Sequence, residues 1–354
     1  MASQPREAFL DGREGEKPEP ARGDSTLESI LEIRGEEKII EVKNPWAKES
    51  WEFHLIPRPL CLPKTHCRFI LEAIEEWKKR FPREETLAWE WFETPSLICR
   101  VDYSFTANKI SLYEIEDSPA GIGLANLCVP GFKEKLRRLS WRKVVVLINP
   151  KKRLKGGDDH LWTKVVGLDQ IKEIEDCWIA PRLNFSEALA KLKEKSIWPL
   201  KFRKSKLYGR GWLWQEIKVQ EMEKFVNWAV NKEKWEGVVF KSDGSKSQMI
   251  RIWLPSGRKK EAIKWLKRRD LIGTWTMKAI RKDTTFWPSI YAQKFFWPVP
   301  LKINEKHMFG IFRIYVGFNT ERREWQILGG WLNARPSLLV HGASDAIFVP
   351  ITSS

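Results

Sequence analysis

The pattern of apolar and polar positions predicts a helix followed by two paired strands in the first third of the chain. Between residues 65 and 81, apolar side chains recur at spacings of three and four, as on one face of an amphipathic helix. Residues 97–103 and 110–116 instead alternate with a period of two, and the polar stretch 104–109 lies between them. We therefore expect a β-hairpin after the helix, with 104–109 as its turn.

Further along, the pattern becomes that of a mixed α/β protein. Residues 144–148 form a continuous apolar run, and the stretch 143–148 is typical of a buried parallel strand. Helical spacing returns at 185–192 and 221–229, and strand-like segments at 238–241 and 249–253 flank a turn rich in Ser and Gly. This second pair of segments predicts another hairpin, placed over a ligand.

The last third predicts a basic helix and a group of strands. The helix covers residues 259–267, and we expect the strands to close a second mixed sheet. The strands lie near Trp275, Tyr291, Phe312, Trp325 and Phe348. Together with the earlier elements they predict a mixed α/β fold of two lobes.

Length and composition support two packed lobes behind a polar arm. A chain of 354 residues is long for one core, and 42% of its residues are hydrophobic. Residues 1–30 hold few apolar side chains, so we expect a disordered N-terminal arm. No apolar stretch reaches the roughly 18 residues of a membrane span, and the first residues lack the pattern of a secretory signal. We therefore expect a cytoplasmic protein with no membrane contact.

The charge balance favours a polyanionic partner. The chain carries 62 Lys and Arg against 46 Asp and Glu, which gives a net charge of +16. The partner could be ATP alone or a nucleic acid, because 20 tryptophans interleaved with basic residues are also what a single-strand nucleic-acid groove uses. Helical or strand spacing around many of these tryptophans favours core packing for most of them.

Several common chemistries find little support in the sequence. Five cysteines without a Cys-x-x-Cys pair indicate free thiols in a reducing compartment, and Cys61, His66 and Cys67 lack a second pair of zinc ligands. Walker, Rossmann and Gly-x-Ser-x-Gly motifs are also missing. A zinc site, a P-loop, a dinucleotide fold and a hydrolase triad are thus disfavoured.

Four ionisable residues of the first predicted hairpin are candidates for phosphate and metal chemistry. Arg100 and Asp102 share one face of their strand, as do Glu114 and Glu116 on the next. Carboxylate oxygens are the ligands that Mg²⁺ prefers, and an arginine can grip a phosphate or carboxylate with two hydrogen bonds. The residues alone leave open the alternative of a solvated, charged strand face.

A lysine in the second predicted hairpin is a candidate phosphate ligand. Lys241 ends an apolar strand just before a loop that contains Gly244 and Ser245, whose backbone amides could cradle a phosphate. A surface hairpin with an exposed lysine would give the same pattern.

These motifs together resemble the synthetase part of the glutathionylspermidine synthase family. Arg100-x-Asp102 is followed after twelve residues by Glu114-x-Glu116, and Lys206 precedes Lys241 by 35 residues. That family belongs to the ATP-grasp superfamily in circularly permuted order, and it has Asn where this chain has Glu116. The resemblance covers roughly residues 95–352 and implies an ATP-grasp-like fold, with the nucleotide between two lobes of mixed sheet and helices.

The resemblance also implies roles for individual residues. Asp102, Glu114 and Glu116 would bind Mg²⁺, while Arg100 would stabilise the tetrahedral intermediate. Arg335, after Gly329-Gly330-Trp331, would meet the phosphates as a second catalytic residue. The expected ATP contacts are Lys206, Lys241, Gly244, Ser245, Gln293 and Arg313.

From the resemblance we expect a ligase that uses ATP and Mg²⁺ to join a carboxylate to an amine through an acyl phosphate. Its partners would be small-molecule or peptide substrates, with a polyanion or nucleic acid as a further partner of the basic surface. Residues 31–200 would form the metal-binding hairpin and an α/β lobe, and residues 201–354 the ATP-grasp lid and closing strands. Two alternatives stay open: a nucleic-acid-binding protein without catalysis, and an inactive ATP-grasp protein that only binds.

Overall fold

The structure is a computed structural model, and it describes the chain in segments. These are residues 32–43, 50–80, 93–94, 96–106, 109–116, 121–139, 144–148, 164–167, 178–181, 198–199, 215–242, 250–258, 276–287, 290–338 and 346–353. The expected N-terminal arm, the helices at 185–192 and 259–267 and the strand near Trp275 lie outside the described residues.

Strands make up most of the described elements. In chain order they are β1 Glu32–Ile33, β2 Lys38–Lys43, β3 Ser50–Leu55, β4 Leu60–Leu62, β5 Ile98–Thr106, β6 Lys109–Glu116, β7 Val144–Ile148, β8 Lys164–Gly167, β9 Trp178–Pro181, β10 Trp198–Pro199, β11 Gln215–Glu216, β12 Val238–Lys241, β13 Ile250–Trp253, β14 Tyr291–Lys294, β15 Leu301–Ile303, β16 Lys306–Asn319, β17 Glu324–Arg335 and β18 Ile347–Ser353. The helices are α1 Lys64–Arg80, α2 Ile122–Cys128, α3 Phe132–Arg137, α4 Met222–Asn231 and α5 Met277–Thr284, and a 3₁₀ turn at Val219–Glu221 precedes α4.

Ten of the described strands form one large mixed sheet. Its main path runs β1-β15-β16-β17-β18-β3-β2, with β5 and β6 joined through β16 and β4 joined through β18. The long strands β16 and β17 are antiparallel, whereas β18 pairs in parallel with β3 and β4. Together with the helices, this sheet confirms the predicted mixed α/β fold.

Two smaller sheets complete the described architecture. The strands β10-β9-β7-β8 pair in parallel, which confirms the parallel strand predicted at 143–148. The strands β11-β14-β12-β13 pair in antiparallel fashion, and β12 with β13 confirms the second predicted hairpin. Around this sheet, α4, α5 and the strands share a separate apolar core that includes Phe225, Phe240 and Ile280.

Helix α1 covers one face of the large sheet. Its apolar stripe, with Ile70, Ile74 and Trp77, is buried against side chains of the sheet. The last turn is basic, which stabilises the negative end of the helix dipole, and contains Lys78, Lys79 and Arg80. On the sheet, Val101, Tyr103, Phe312, Ile314 and Leu332 face this helix, and we call their side of the sheet the helical face. The helix agrees with the one predicted between residues 65 and 81.

Two sequence predictions are wrong in detail. The stretch 104–109 is largely strand rather than turn, because β5 continues to Thr106 and β6 already begins at Lys109. The later strands also do not form one second sheet. Tyr291 lies in the sheet of β12, whereas Phe312, Trp325 and Phe348 extend the large sheet, where long apolar strands complete a core that the hairpin cannot fill alone.

The large sheet crosses the expected boundary between residues 200 and 201. Strand β16 pairs with β5, so strands from both expected lobes lie side by side. Among the described residues, no helix has both the length and the apolar content to cross a bilayer.

Candidate active site

The face of the large sheet opposite α1 carries a band of buried charges. In antiparallel pairing, residues directly opposite one another project to the same side. Arg100 lies opposite Glu116, and Asp102 lies opposite both Glu114 on β6 and Arg313 on β16. We call this side, with these five residues and Arg335, the charged face.

Arg100 is the hub of the charged face. It donates hydrogen bonds from Nε to Oδ1 of Asp102 at 2.6 Å and from Nη2 to Oδ2 at 2.9 Å. The same Nη2 lies 2.7 Å from Oε2 of Glu116. Arg100 and Asp102 are only 5% and 3% exposed, so this bidentate pair is held in a low-dielectric environment where charged hydrogen bonds are strong.

The pKa values on this face follow from burial and the neighbouring charges. Burial alone would lower the pKa of the Arg100 guanidinium, but Asp102 and Glu116 outweigh that effect and hold its pKa well above the ordinary value. Burial raises the pKa of the Tyr315 hydroxyl, which lies on the same face opposite Arg100 in the strand register. Arg100 is therefore a permanent cation beside a neutral phenol.

The antiparallel sheet of β12 meets the charged face at Glu114. The ammonium of Lys241, at the end of β12, is 3.6 Å from Oε2 of Glu114. On the neighbouring strand β14, the Gln293 side chain donates from Nε2 to the Tyr113 carbonyl oxygen at 2.9 Å. Because Lys241 and Glu114 are each about a quarter exposed, this is the accessible end of the charged cluster.

Glycines on β17 allow the strands beneath the site to approach closely. A Cβ at Gly330 would overlap the carbonyl oxygen of Arg313, so a larger residue would force β17 away from β16. Gly329 has a φ of 111°, which glycine tolerates far better than other residues, and it lies where the β16–β17 register shifts. The Gly-Gly pair thus helps to fix the strand that carries Arg313.

Most described residues of the predicted site come together. Arg100, Asp102, Glu114, Glu116, Lys241 and Arg313 form a chain of charged contacts, in which Nε of Arg313 is 3.7 Å from Oδ2 of Asp102, and Gln293 anchors the adjoining strand. Arg335 lies on the same face, but opposite Phe309, which is four residues or about 13 Å along β16 from Arg313. Lys206, Gly244 and Ser245 lie outside the described residues.

The three predicted magnesium ligands do not fit a metal ion as they are arranged. Asp102 is engaged by Arg100 and Arg313, Glu116 by Arg100, and Glu114 by Lys241. Within the described segments, no group of three or more His, Cys, Asp or Glu side chains is placed to hold a metal. Cations of the protein itself neutralise these acids, which explains how three carboxylates share one face without repelling one another.

The charged face contains further polar residues that the sequence motifs did not single out. Tyr315 is two residues after Arg313, and Asn333 is two residues before Arg335, so period-two alternation along β16 and β17 could have identified both. Asn333 is 4% exposed, and its side-chain oxygen has no hydrogen-bond partner among the described residues, nor does the buried indole N–H of Trp331 on the same strand. Buried polar groups of this kind can form hydrogen bonds with a bound ligand.

Comparisons with known proteins identify no family. No protein-family model matches the chain, and no curated protein is significantly similar in sequence. Among the solved structures that match is a proposed gamma-glutamylcysteine synthetase from Methylobacillus flagellatus KT, with 10% sequence identity, 79% of this chain and 84% of that chain covered, and a TM-score of 0.37. A likeness at this level assigns neither a family nor an activity.

Proposed function

We propose that the chain is an ATP-dependent ligase of the ATP-grasp type that joins a carboxylate to an amine through an acyl phosphate. One observation carries this proposal. Arg100, Asp102, Glu114, Glu116, Lys241 and Arg313, selected from the sequence as a phosphate-handling set, come from four separate strands and form one chain of charged contacts. The hairpin register brings the first four together, so the weight of the observation lies in Lys241 and Arg313, which reach the same carboxylates from distant parts of the chain.

The triphosphate would bind between the end of β12 and the charged face. The Lys241–Glu114 pair is the most exposed ion pair of the cluster, so Lys241 can exchange its carboxylate partner for a phosphate at small cost. Arg100 is buried and bound to two carboxylates, which hold its guanidinium in a fixed position. Positive groups fixed in advance stabilise charge that develops during reaction without reorganising.

The proposed reaction proceeds in two steps. An oxygen of the substrate carboxylate attacks the γ-phosphorus of ATP, the bond to the β–γ bridging oxygen breaks, and ADP leaves. The amine nitrogen then attacks the acyl carbon, phosphate departs with the bonding electrons, and the amine proton is lost to solvent. Lys241 and Arg313 would neutralise the phosphates, and Arg100 would stabilise the oxyanion of the second step.

Because the carboxylates do not fit Mg²⁺ as arranged, the proposed reaction assigns roles to side chains of the protein and none to a metal ion. A magnesium requirement remains a prediction of the sequence resemblance. It is tested by repeating each assay with Mg²⁺ and with a chelator.

A hydroxylamine trap tests the proposed activity. The protein is incubated with ATP, a panel of amino acids and dicarboxylates, and hydroxylamine, which converts an acyl phosphate to a hydroxamate. We expect ADP release that depends on one class of carboxylate, an equal yield of hydroxamate, and loss of both in Asp102→Ala that remains folded by circular dichroism. Full turnover in that folded variant, or ADP release without hydroxamate, would contradict the ligase.

A binding protein of the same fold without turnover is the second candidate. It is favoured by the pairing of every carboxylate on the charged face with a basic side chain, and by Glu116 at the position where the resembled family has Asn. Saturable ATP binding with no ADP release for any carboxylate in the panel would select this candidate over the ligase.

A further inference from the structure

A cavity of about 520 Å³ lies away from the charged face, where β17 extends past the end of β18. Its walls come from one face of α1, from the end of α3, and from residues around Gln326 on β17. In the strand register Gln326 lies opposite Gly317, four residues or about 13 Å along β16 from Arg313. None of its lining residues belongs to the candidate active site, and we call it the edge cavity.

The edge cavity is lined by cations, by neutral polar groups and by the apolar side chains of Leu71 and Ile327. Lys64, Lys135 and Arg138 contribute three positive charges, whereas no Asp or Glu is among the described residues that line it. The nearest carboxylate along β17, Glu324, accepts a hydrogen bond from the Gln326 side chain at 3.0 Å. A cavity lined by three cations and by no carboxylate of the described residues attracts anions and disfavours cations.

One of these cations is held in position by the fold. The Lys135 ammonium donates to the carbonyl oxygen and to the hydroxyl oxygen of Ser353, at 2.9 and 2.6 Å. The Ser353 hydroxyl is itself fixed by a hydrogen bond at 3.2 Å to the Ile327 carbonyl oxygen. Burial lowers the pKa of Lys135, and the repulsion from Arg138 adds to this against the opposing effect of Cys67, as expected for an ammonium with no carboxylate partner among the described residues.

Helix α1 adds to the positive potential. Lys64 is the first residue of this 17-residue helix, and its first turn contains no acidic residue. The free amide groups at a helix N-terminus carry a partial positive charge that stabilises anions. Cys67, one turn further on, also lines the cavity and gives a chemical probe of its occupancy.

From this lining we infer that the edge cavity binds a small organic anion carrying two or more negative charges, as carboxylates or as a phosphate. The volume excludes a macromolecule from the cavity itself and exceeds what a simple inorganic ion needs. The inference is independent of the proposed ligase activity, because it uses none of the residues of the charged face.

Calorimetry on the full chain tests this inference with inorganic phosphate, glycerol 3-phosphate and succinate. The double variant Lys64→Gln, Arg138→Gln removes two cations from the cavity. Its control, Lys133→Gln, Arg137→Gln, removes two exposed cations of α3 that do not line the cavity, so the net charge falls equally. We expect binding at least about tenfold weaker in the cavity variant and within about twofold of wild type in the control.

The three probes also distinguish the sources of the anion. Tighter binding of glycerol 3-phosphate than of succinate identifies a phosphate ester, and the reverse order identifies a dicarboxylate. Either order supports the inference, provided that the cavity variant weakens binding. No saturable binding of any probe at about 10 mM, or equal loss in the cavity variant and the control, overturns it.

Alkylation of Cys67 reports occupancy without depending on affinity measurements. Iodoacetamide labelling of Cys67 is followed by mass spectrometry with and without the best probe, beside the exposed Cys61 as an internal reference. We expect the bound anion to slow labelling of Cys67 at least about threefold more than that of Cys61, because it shields the thiol and disfavours the thiolate. Equal labelling of Cys67 at saturating probe would place the anion elsewhere and overturn the inference.

Discussion

The two faces of the large sheet are buried to a similar degree but by opposite chemistry. On the helical face, Val101, Tyr103 and Ile314 are fully buried among apolar neighbours and the stripe of α1. On the charged face, Arg100 and Asp102 come from the same strand β5, and they are buried almost as completely. A single strand thus contributes to a hydrophobic core on one side and to an ion-pair cluster on the other.

This contrast indicates which face carries function. Burying apolar area stabilises a fold by roughly 25 cal/mol per Å², so the helical face needs no further explanation. Burying charges removes their hydration, and a paired cluster is rarely more stable than an apolar core of the same volume. A sheet with such a cluster is therefore less stable than one with an apolar core at the same place, and this loss of stability is typical of a binding or catalytic site.

The largest expected effect comes from breaking the charged cluster at its hub. Arg100→Met leaves the buried Asp102 and the partly buried Glu116 without their main cation, and we expect it to lower the free energy of unfolding by about 3–5 kcal/mol. Urea denaturation measures the change. The matched variant Arg80→Met removes an exposed arginine paired with Glu76 and should lower it by at most about 0.5 kcal/mol. Equal losses in the two variants would mean that the charged face is not a coupled cluster.

A smaller loss of stability is expected from a cavity on the helical face. Ile74→Ala removes a fully buried side chain of α1 and should lower the free energy of unfolding by about 3 kcal/mol. Glu75→Ala, at an exposed position of the same helix, is the control. Because the helical face takes no part in the proposed site, the folded Ile74→Ala protein should bind ATP as wild type does, and a weaker affinity would link the two faces.

The smallest expected change in the free energy of unfolding depends on pH and arises from His66, a buried residue on the side of the helical face. Burial lowers the pKa of His66 to about 4, and its Nδ1 is hydrogen bonded to the Tyr103 hydroxyl at 3.0 Å. The unfolded chain, with a His pKa near 6.5, takes up the proton first, so stability falls as the pH drops below 6.5 toward 4. Between pH 7.5 and pH 5 we expect a loss of about 2 kcal/mol in wild type that is missing in His66→Gln, measured by urea denaturation at both values. An equal loss in both proteins would show that His66 is solvated.

The sequence predicted the helical face well because its signals are local. The spacing of Ile70, Ile74 and Trp77 determines the buried stripe of α1, and alternation in residues 97–103 and 110–116 predicts the hairpin and the face that each side chain occupies. The pattern predicts the turn of that hairpin too early, because polar residues such as Ser104 are typical of turns, whereas Ser104 is buried within β5. Local propensity is overridden here by a long-range contact with β16, since the Ser104 hydroxyl donates to the Gly310 carbonyl oxygen at 2.7 Å.

The charged face was predictable only in part. Arg100, Asp102, Glu114 and Glu116 lie within 17 residues, so the hairpin register alone brings them together. The pairing of Lys241 with Glu114 and of Arg313 with Asp102 depends on sheet topology, which no local pattern contains. The carboxylates that suggest a metal site in the sequence are neutralised by Arg100 of the same hairpin and by Lys241 and Arg313, which lie far along the chain.

The most direct test of the central claim is ATP binding at the junction of β12 and the charged face. Calorimetry compares wild type, Lys241→Met and Lys306→Met, each with Mg²⁺ and with a chelator, where Lys306 is an exposed lysine of β16 outside the site. The account predicts saturable ATP binding in wild type, binding about tenfold to a hundredfold weaker in Lys241→Met, and no change in Lys306→Met, because a charge-assisted contact to a phosphate contributes about 1.5–3 kcal/mol. Undetectable ATP binding by folded wild-type protein under both conditions, or equal affinity in wild type and Lys241→Met, would contradict it.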